Sequence, residues 1–77
     1  MMVIIYTLPN CPQCQMTKRF FQQAQVSFRE IDLSQAKQER LLLQAQGYRT
    51  VPVVKTPTNE WFGFRPDYLK KAVQEND

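Results

Sequence analysis

The chain has 77 residues, with ten Lys and Arg against seven Asp and Glu, a net charge of +3, two cysteines and no histidine. That length leaves room for one domain, spanning residues 1–77, with a single small core. The basic residues are scattered, with Lys18-Arg19 and Lys70-Lys71 as the only adjacent pairs; this is a solvated surface rather than a nucleic-acid footprint, although attraction to an acidic protein partner stays open. The longest apolar run, Met1 to Tyr6, is far short of the roughly 20 residues of a membrane span. No charged-then-apolar leader precedes it, and two cysteines are too few for a secreted disulfide scaffold, so a soluble protein of the reducing cytoplasm is expected.

Val3 to Thr7 is a β-branched and aromatic run ended by Leu8-Pro9-Asn10 and reads as a strand. Pro12 suits the first turn of a following helix, capped by Asn10 or Cys11. Met16, Phe20 and Ala24, with Thr17 and Phe21 alongside, predict its buried stripe, and Lys18, Gln22 and Gln25 its outer face. Val26 to Leu33 reads as a second strand whose alternation slips at Arg29-Glu30. Ser34 is the expected N-cap of a second helix running through Gln46, with Leu41, Leu42 and Ala45 as its apolar side and Gly47 as its stop. Val51 to Lys55 and Glu60 to Phe64 are short strands around a connection of hairpin length, Thr56 to Asn59. Pro66 opens a last helix, with Tyr68, Leu69, Ala72 and Val73 facing inward and Asp67 at the dipole's positive end. Trp61, Phe62 and Phe64 fall on both faces of their strand, so at least one of them should be exposed.

Cys11-Pro12-Gln13-Cys14 lies where the first strand gives way to the first helix. Unpaired backbone N–H groups and the positive end of the helix dipole converge there, which favours a thiolate at Cys11, and Cys14 follows about one turn later, within disulfide reach. A bridge across so short a loop restrains the unfolded chain little, so it is a poor structural staple. Redox use fits best: Cys11 attacks a partner disulfide and Cys14 resolves the mixed disulfide. Without histidine, a Cys-His nucleophile pair is excluded. The competing readings are half of a four-thiolate zinc or iron-sulfur site, completed by a second copy, and a pure interaction adaptor. Pro52 opens its strand, where a proline marks an edge or an unusual peptide bond.

The element order β-α-β-α-β-β-α puts the first two strands parallel and the last two in an antiparallel hairpin, an α/β fold with a four-stranded mixed sheet flanked by three helices, the minimal thioredoxin-like topology. Tyr6-Thr7 leading into Cys11-x-x-Cys14, Thr17-Lys18-Arg19, Ala45-Gln46-Gly47-Tyr48-Arg49, Thr50-Val51-Pro52-Val53-Val54 and Trp61-Phe62-Gly63-Phe64-Arg65-Pro66-Asp67 resemble the NrdH-redoxin family over nearly the whole chain. The resemblance implies a glutaredoxin-like protein that is reduced by thioredoxin reductase and supplies electrons to class Ib ribonucleotide reductase. It further implies a cis peptide bond before Pro52, leaving the Val51 backbone free to pair with a docking partner as an added strand. On this basis Cys11 and Cys14 are the expected catalytic pair, and Pro12, Gln13, Thr50, Val51, Pro52, Trp61, Phe64, Arg65 and Asp67 the expected partner-binding residues. No metal or organic cofactor is expected, and the chain should be a monomer. Where glutathione-dependent glutaredoxins carry a Gly-Gly and an acidic residue, this chain has Gly63-Phe64-Arg65-Pro66-Asp67, which counts against glutathione, although Pro12 is more typical of dithiol glutaredoxins.

Overall fold

A computed structural model describes residues 2–76. Along the chain run β1 (Ile4–Thr7), α1 (Pro12–Gln23), β2 (Arg29–Asp32), α2 (Lys37–Ala45), β3 (Val53–Lys55), β4 (Glu60–Phe62) and α3 (Pro66–Glu75). The four strands form one sheet in the order β2-β1-β3-β4. β1 is parallel to β2 and antiparallel to β3, and β3 and β4 form the hairpin. This is the expected thioredoxin-like fold. Across the sheet Ile5, Val54 and Trp61 stand in one row and Tyr6, Val53 and Phe62 in the next. Neighbouring rows point to opposite faces, so the sheet is apolar on both.

The first of those faces is covered by α1 and α3, where Ile5, Val54 and Trp61 meet Phe21, Leu69 and Ala72. Fully burying a side chain such as Phe21 or Leu69 contributes about 1.5–3 kcal/mol. Trp61 is 4% exposed and stacks at 5.3 Å on Tyr68 of α3. Its indole Nε1 is buried without an acceptor among the described residues, which offsets the gain from the ring by about 1–3 kcal/mol. The other face is covered by α2 alone, through Leu43 against Leu33 and Val53. β4 lies beyond that cover, and Phe62 is 57% exposed as a result.

Several local expectations change, among them the hairpin strands, which span Val53–Lys55 and Glu60–Phe62 and are each two residues shorter than expected. The buried stripe of α1 is Cys14, Thr17 and Phe21, with Phe20 and Ala24 half-buried, while Met16 is 47% exposed. Thr17 can be buried because its hydroxyl donates to the Gln13 carbonyl at 2.9 Å, a bond within the helix. Ser34 does not cap α2: the Asp32 carboxylate accepts both its N–H (2.9 Å) and its hydroxyl (2.6 Å), closing a turn, and the helix starts after Ala36 with no side-chain cap. In the run Leu41-Leu42-Leu43 each residue is rotated by about 100° from the last, so only one can face the sheet. That residue is Leu43, while Leu41 and Leu42 are 54% and 62% exposed and Ala45 is exposed as well. Finally, β2 starts at Arg29, because Val26 donates its N–H back to Phe21 and turns the chain under α1 before pairing begins. Gly47 ends α2 as expected, at φ +96°, which favours glycine.

Candidate active site

Cys11 is the N-cap of α1, in extended backbone, and Pro12 occupies the first turn, where its missing N–H leaves no bond unmade. The Cys14 N–H donates to Cys11 Sγ at 3.1 Å. This is one of the helix's orphan donors aimed at the sulfur, and no acidic residue in the first turn opposes a negative charge there. Asn10, at φ +59°, turns the chain from β1 into this cap. The two cysteines are joined in a disulfide, with Cα atoms 5.2 Å apart. Their surroundings differ: Cys11 is half-buried at the surface, whereas Cys14 is 1% exposed beneath it. An incoming disulfide can therefore reach only the first.

The Val51–Pro52 peptide bond is cis. Pro52 is buried, its carbonyl accepts the Gly63 N–H at 2.8 Å, and the Val51 carbonyl faces Cys11 Sγ at 4.0 Å. An open groove is lined by Cys11, Pro12, Gln13, Thr50 and Val51 together with Phe62 and Gly63. Five of the expected residues, Cys11, Pro12, Gln13, Thr50 and Val51, thus meet in one place. Phe62 and Gly63 belong with them although the expected set omitted both; the alternation of the strand, which turns Trp61 inward and Phe62 outward, was the available signal. Trp61 is core, and its burial removes it from any docking surface.

Phe64 is half-buried against the α1 and α3 core. Its N–H donates to Gln13 Oε1 at 3.3 Å, so the Cys11-x-x-Cys14 turn is tied to the loop that leads into α3. Gly63 takes φ +84° on that loop, where a side chain would be strained and its Cβ would sit 3.7 Å from the same Gln13 oxygen. Arg65 and Asp67 form a two-bond ion pair, at 3.2 and 2.9 Å, and the guanidinium lies 4.3 Å from the centre of the Tyr68 ring. The hydrogen bonds from Arg65 hold the Asp67 carboxyl below its usual pKa. Both side chains are exposed, and they brace the start of α3 against its own first turn.

Two polar clusters escaped sequence reading because their members are far apart in the chain. The Glu30 carboxylate accepts the Thr7 hydroxyl at 2.8 Å and pairs with Lys18 at 3.0 Å, joining β1, β2 and α1. Tyr48 meets Phe62 edge-on and donates its hydroxyl to Glu60 at 2.7 Å. Burial, with the Glu60 carboxylate beside it, pushes that phenol up to about 12. A pKa raised on folding means the contribution to stability is complete below the ordinary value of about 10 and is lost as the pH rises through about 12. In a spectrophotometric titration one of the three tyrosines should therefore ionise last, and Glu60→Gln should bring that midpoint down; an unchanged midpoint would contradict the pairing.

A disulfide on a strand-to-helix turn, beside a cis-proline loop on a four-stranded sheet, defines a thioredoxin-fold redox protein. The glutaredoxin family model matches residues 3–58. The glutaredoxin-like protein NrdH of Escherichia coli is 37% identical over 92% of this chain and 88% of its own, and that of Lactococcus lactis subsp. cremoris is 31% identical over 94% and 100%. The solved structure of Escherichia coli NrdH-redoxin, a glutaredoxin-like protein described as having a thioredoxin-like activity profile, superposes with a TM-score of 0.89 over 92% of this chain and 93% of that one, at 37% identity. A glutaredoxin from Archaeoglobus fulgidus, 24% identical, shares the fold with a TM-score of 0.77 over 94% and 85%. The chain belongs to the glutaredoxin family, among its NrdH-like members. No helix among the described residues is long and apolar enough to cross a membrane.

Proposed function

We propose that the chain is a dithiol-disulfide electron carrier of NrdH type, reduced by thioredoxin reductase and oxidised by a class Ib ribonucleotide reductase. In its dithiol form, Cys11 as thiolate attacks one sulfur of the partner's disulfide, and the other partner sulfur leaves as a thiolate. Cys14 then loses its proton and attacks Cys11 Sγ, releasing the second partner thiolate. Two electrons have passed to the partner, its sulfurs take up protons, and the carrier is left with the Cys11–Cys14 bond. The observation that carries this reading is the asymmetry of the pair: a reachable sulfur under a backbone N–H, and a buried one directly below it.

Thioredoxin reductase is favoured over glutathione because the loop groups that would greet a tripeptide are engaged within the chain, the Phe64 N–H by Gln13 and the Asp67 carboxylate by Arg65. The groove residues Thr50 and Val51, with Pro12 and Gln13, are the proposed seat of the partner's chain, and the buried Pro52 follows them in the sequence. No metal or bound organic cofactor enters the cycle. In a coupled assay, NADPH oxidation through thioredoxin reductase should run with a class Ib reductase or a simple disulfide as acceptor, and glutathione with its reductase should support little. The reverse ranking of donors would overturn the assignment. Stoichiometric iron or zinc in protein purified without oxygen would instead favour the metal-site reading.

A further inference from the structure

We propose that the seam between α1 and α3 docks an acidic amphipathic helix of a protein partner. This deepens the carrier reading, on which its purpose rests: a partner held at the seam keeps its disulfide close to Cys11 and leaves the residues around the cysteines free for the exchange. The Gln13–Phe64 hydrogen bond joins the two helices at their starts. Residues late in each, Phe20, Gln23 and Ala24 of α1 and Lys70, Val73 and Gln74 of α3, line one hollow of about 420 Å³. The helices therefore run side by side in the same direction. Phe20, Ala24 and Val73 pack against the core yet are only half-buried. Met16, 47% exposed, stands one turn before Phe20 and extends the apolar stripe toward the cysteines. From Cys14 to Phe20 the helix advances about 9 Å at 1.5 Å per residue, within reach of a partner engaged at Cys11.

Shape and charge together select the occupant. Two helices lying side by side leave a furrow into which the side-chain ridge of a third packs, at about 8–10 Å between axes. Lys70 lines the furrow on α3, and Arg19, one turn before Gln23, stands at its rim on α1. Both are exposed, and neither is in an ion pair: among the described residues those pairs are Lys18–Glu30 and Arg65–Asp67. α1 has no acidic residue. α3 carries two in its described span, Asp67 and Glu75, and neither lines the hollow. Asp67, one turn before Lys70, has both oxygens on Arg65, and the Glu75 carboxylate accepts the Thr58 hydroxyl of the hairpin. A partner helix with an apolar stripe and Asp or Glu at its margins thus meets a cation on each side, whereas a basic helix is repelled.

The test uses the full chain, labelled with nitrogen-15, and peptides of about 18 residues, long enough for helix formation, with Leu on one stripe, Glu, Gln or Lys at its margins and Ala elsewhere. With the Glu peptide, amide shifts should move along residues 16–24 and 69–74. At low ionic strength its affinity should exceed that of the Gln peptide by about fivefold, with the Lys peptide weakest. That preference should disappear near 1 M salt, where the Debye length is about 3 Å. It should also be lost in the Arg19→Gln, Lys70→Gln chain and kept in the Lys37→Gln, Arg40→Gln chain, which loses its cations from α2 instead. Shifts centred on the cysteines, Thr50 and Val51, equal affinity for the three peptides, or a preference that survives the Arg19→Gln, Lys70→Gln substitution would each overturn the docking site. So would the absence of any shift at about 1 mM Glu peptide, a concentration at which weak association is visible. The peptides contain no sulfur, so these outcomes leave the carrier reading untouched, and that reading is decided by the coupled assay.

Discussion

Cys11→Ser should abolish disulfide reduction, by at least roughly 10³-fold, whereas Cys14→Ser should still attack and then stall as a covalent complex with its partner. The difference follows from position. Cys11 stands half-buried at the groove with the Cys14 N–H on its sulfur, so only it is both reachable and stabilised as an anion. Cys14, 1% exposed, can reach one electrophile, the Cys11 sulfur above it. Non-reducing electrophoresis and intact mass of each variant, mixed with an oxidised partner, check this directly. If the Cys11→Ser protein formed the trapped complex and the Cys14→Ser protein did not, the roles would have to be exchanged.

Phe21→Ala should cost about 3–5 kcal/mol of folding stability, a large share of the 5–15 kcal/mol typical of a domain. Phe21 is fully buried between the sheet and α3 and meets Phe28 at 6.2 Å, so the cavity left by truncation is walled on several sides and cannot collapse easily. Leu42→Ala, in a side chain that faces solvent, should change stability by no more than about 0.5 kcal/mol. Urea unfolding of both variants measures the contrast. Comparable losses would mean that α2 presents a different face to the sheet from the one described, and Phe21→Leu provides a milder core variant should the alanine chain not fold.

The fold and the reactive pair were legible because the signals that carry them are local. A β-branched run, a proline at a helix start and two cysteines one turn apart are neighbours in the chain, and each constrains backbone geometry by itself. Helix faces were less legible. Met16 and Leu42 fit an apolar repeat as well as Thr17 and Leu43 do, and the choice depends on where the sheet lies. Thr17 was the less obvious core residue because its hydroxyl needed a partner, which the helix supplies from Gln13. Ser34 lost its capping role to a competing acceptor two residues earlier, an outcome decided by turn geometry rather than by residue type.

The amino-acid order alone determined the β-α-β-α-β-β-α plan, the dithiol at a helix start and the hairpin, since propensities, alternation and caps act over a few residues. Tertiary structure decided which sulfur is exposed, that Thr50 and Val51 come to face Cys11 from some 40 positions away, that Trp61 turns inward while Phe62 walls the groove, and that Gln13 holds the Phe64 loop. Those features depend on the sheet bringing distant segments to one edge, where burial of the apolar faces sets the register and the polar groups take what partners remain.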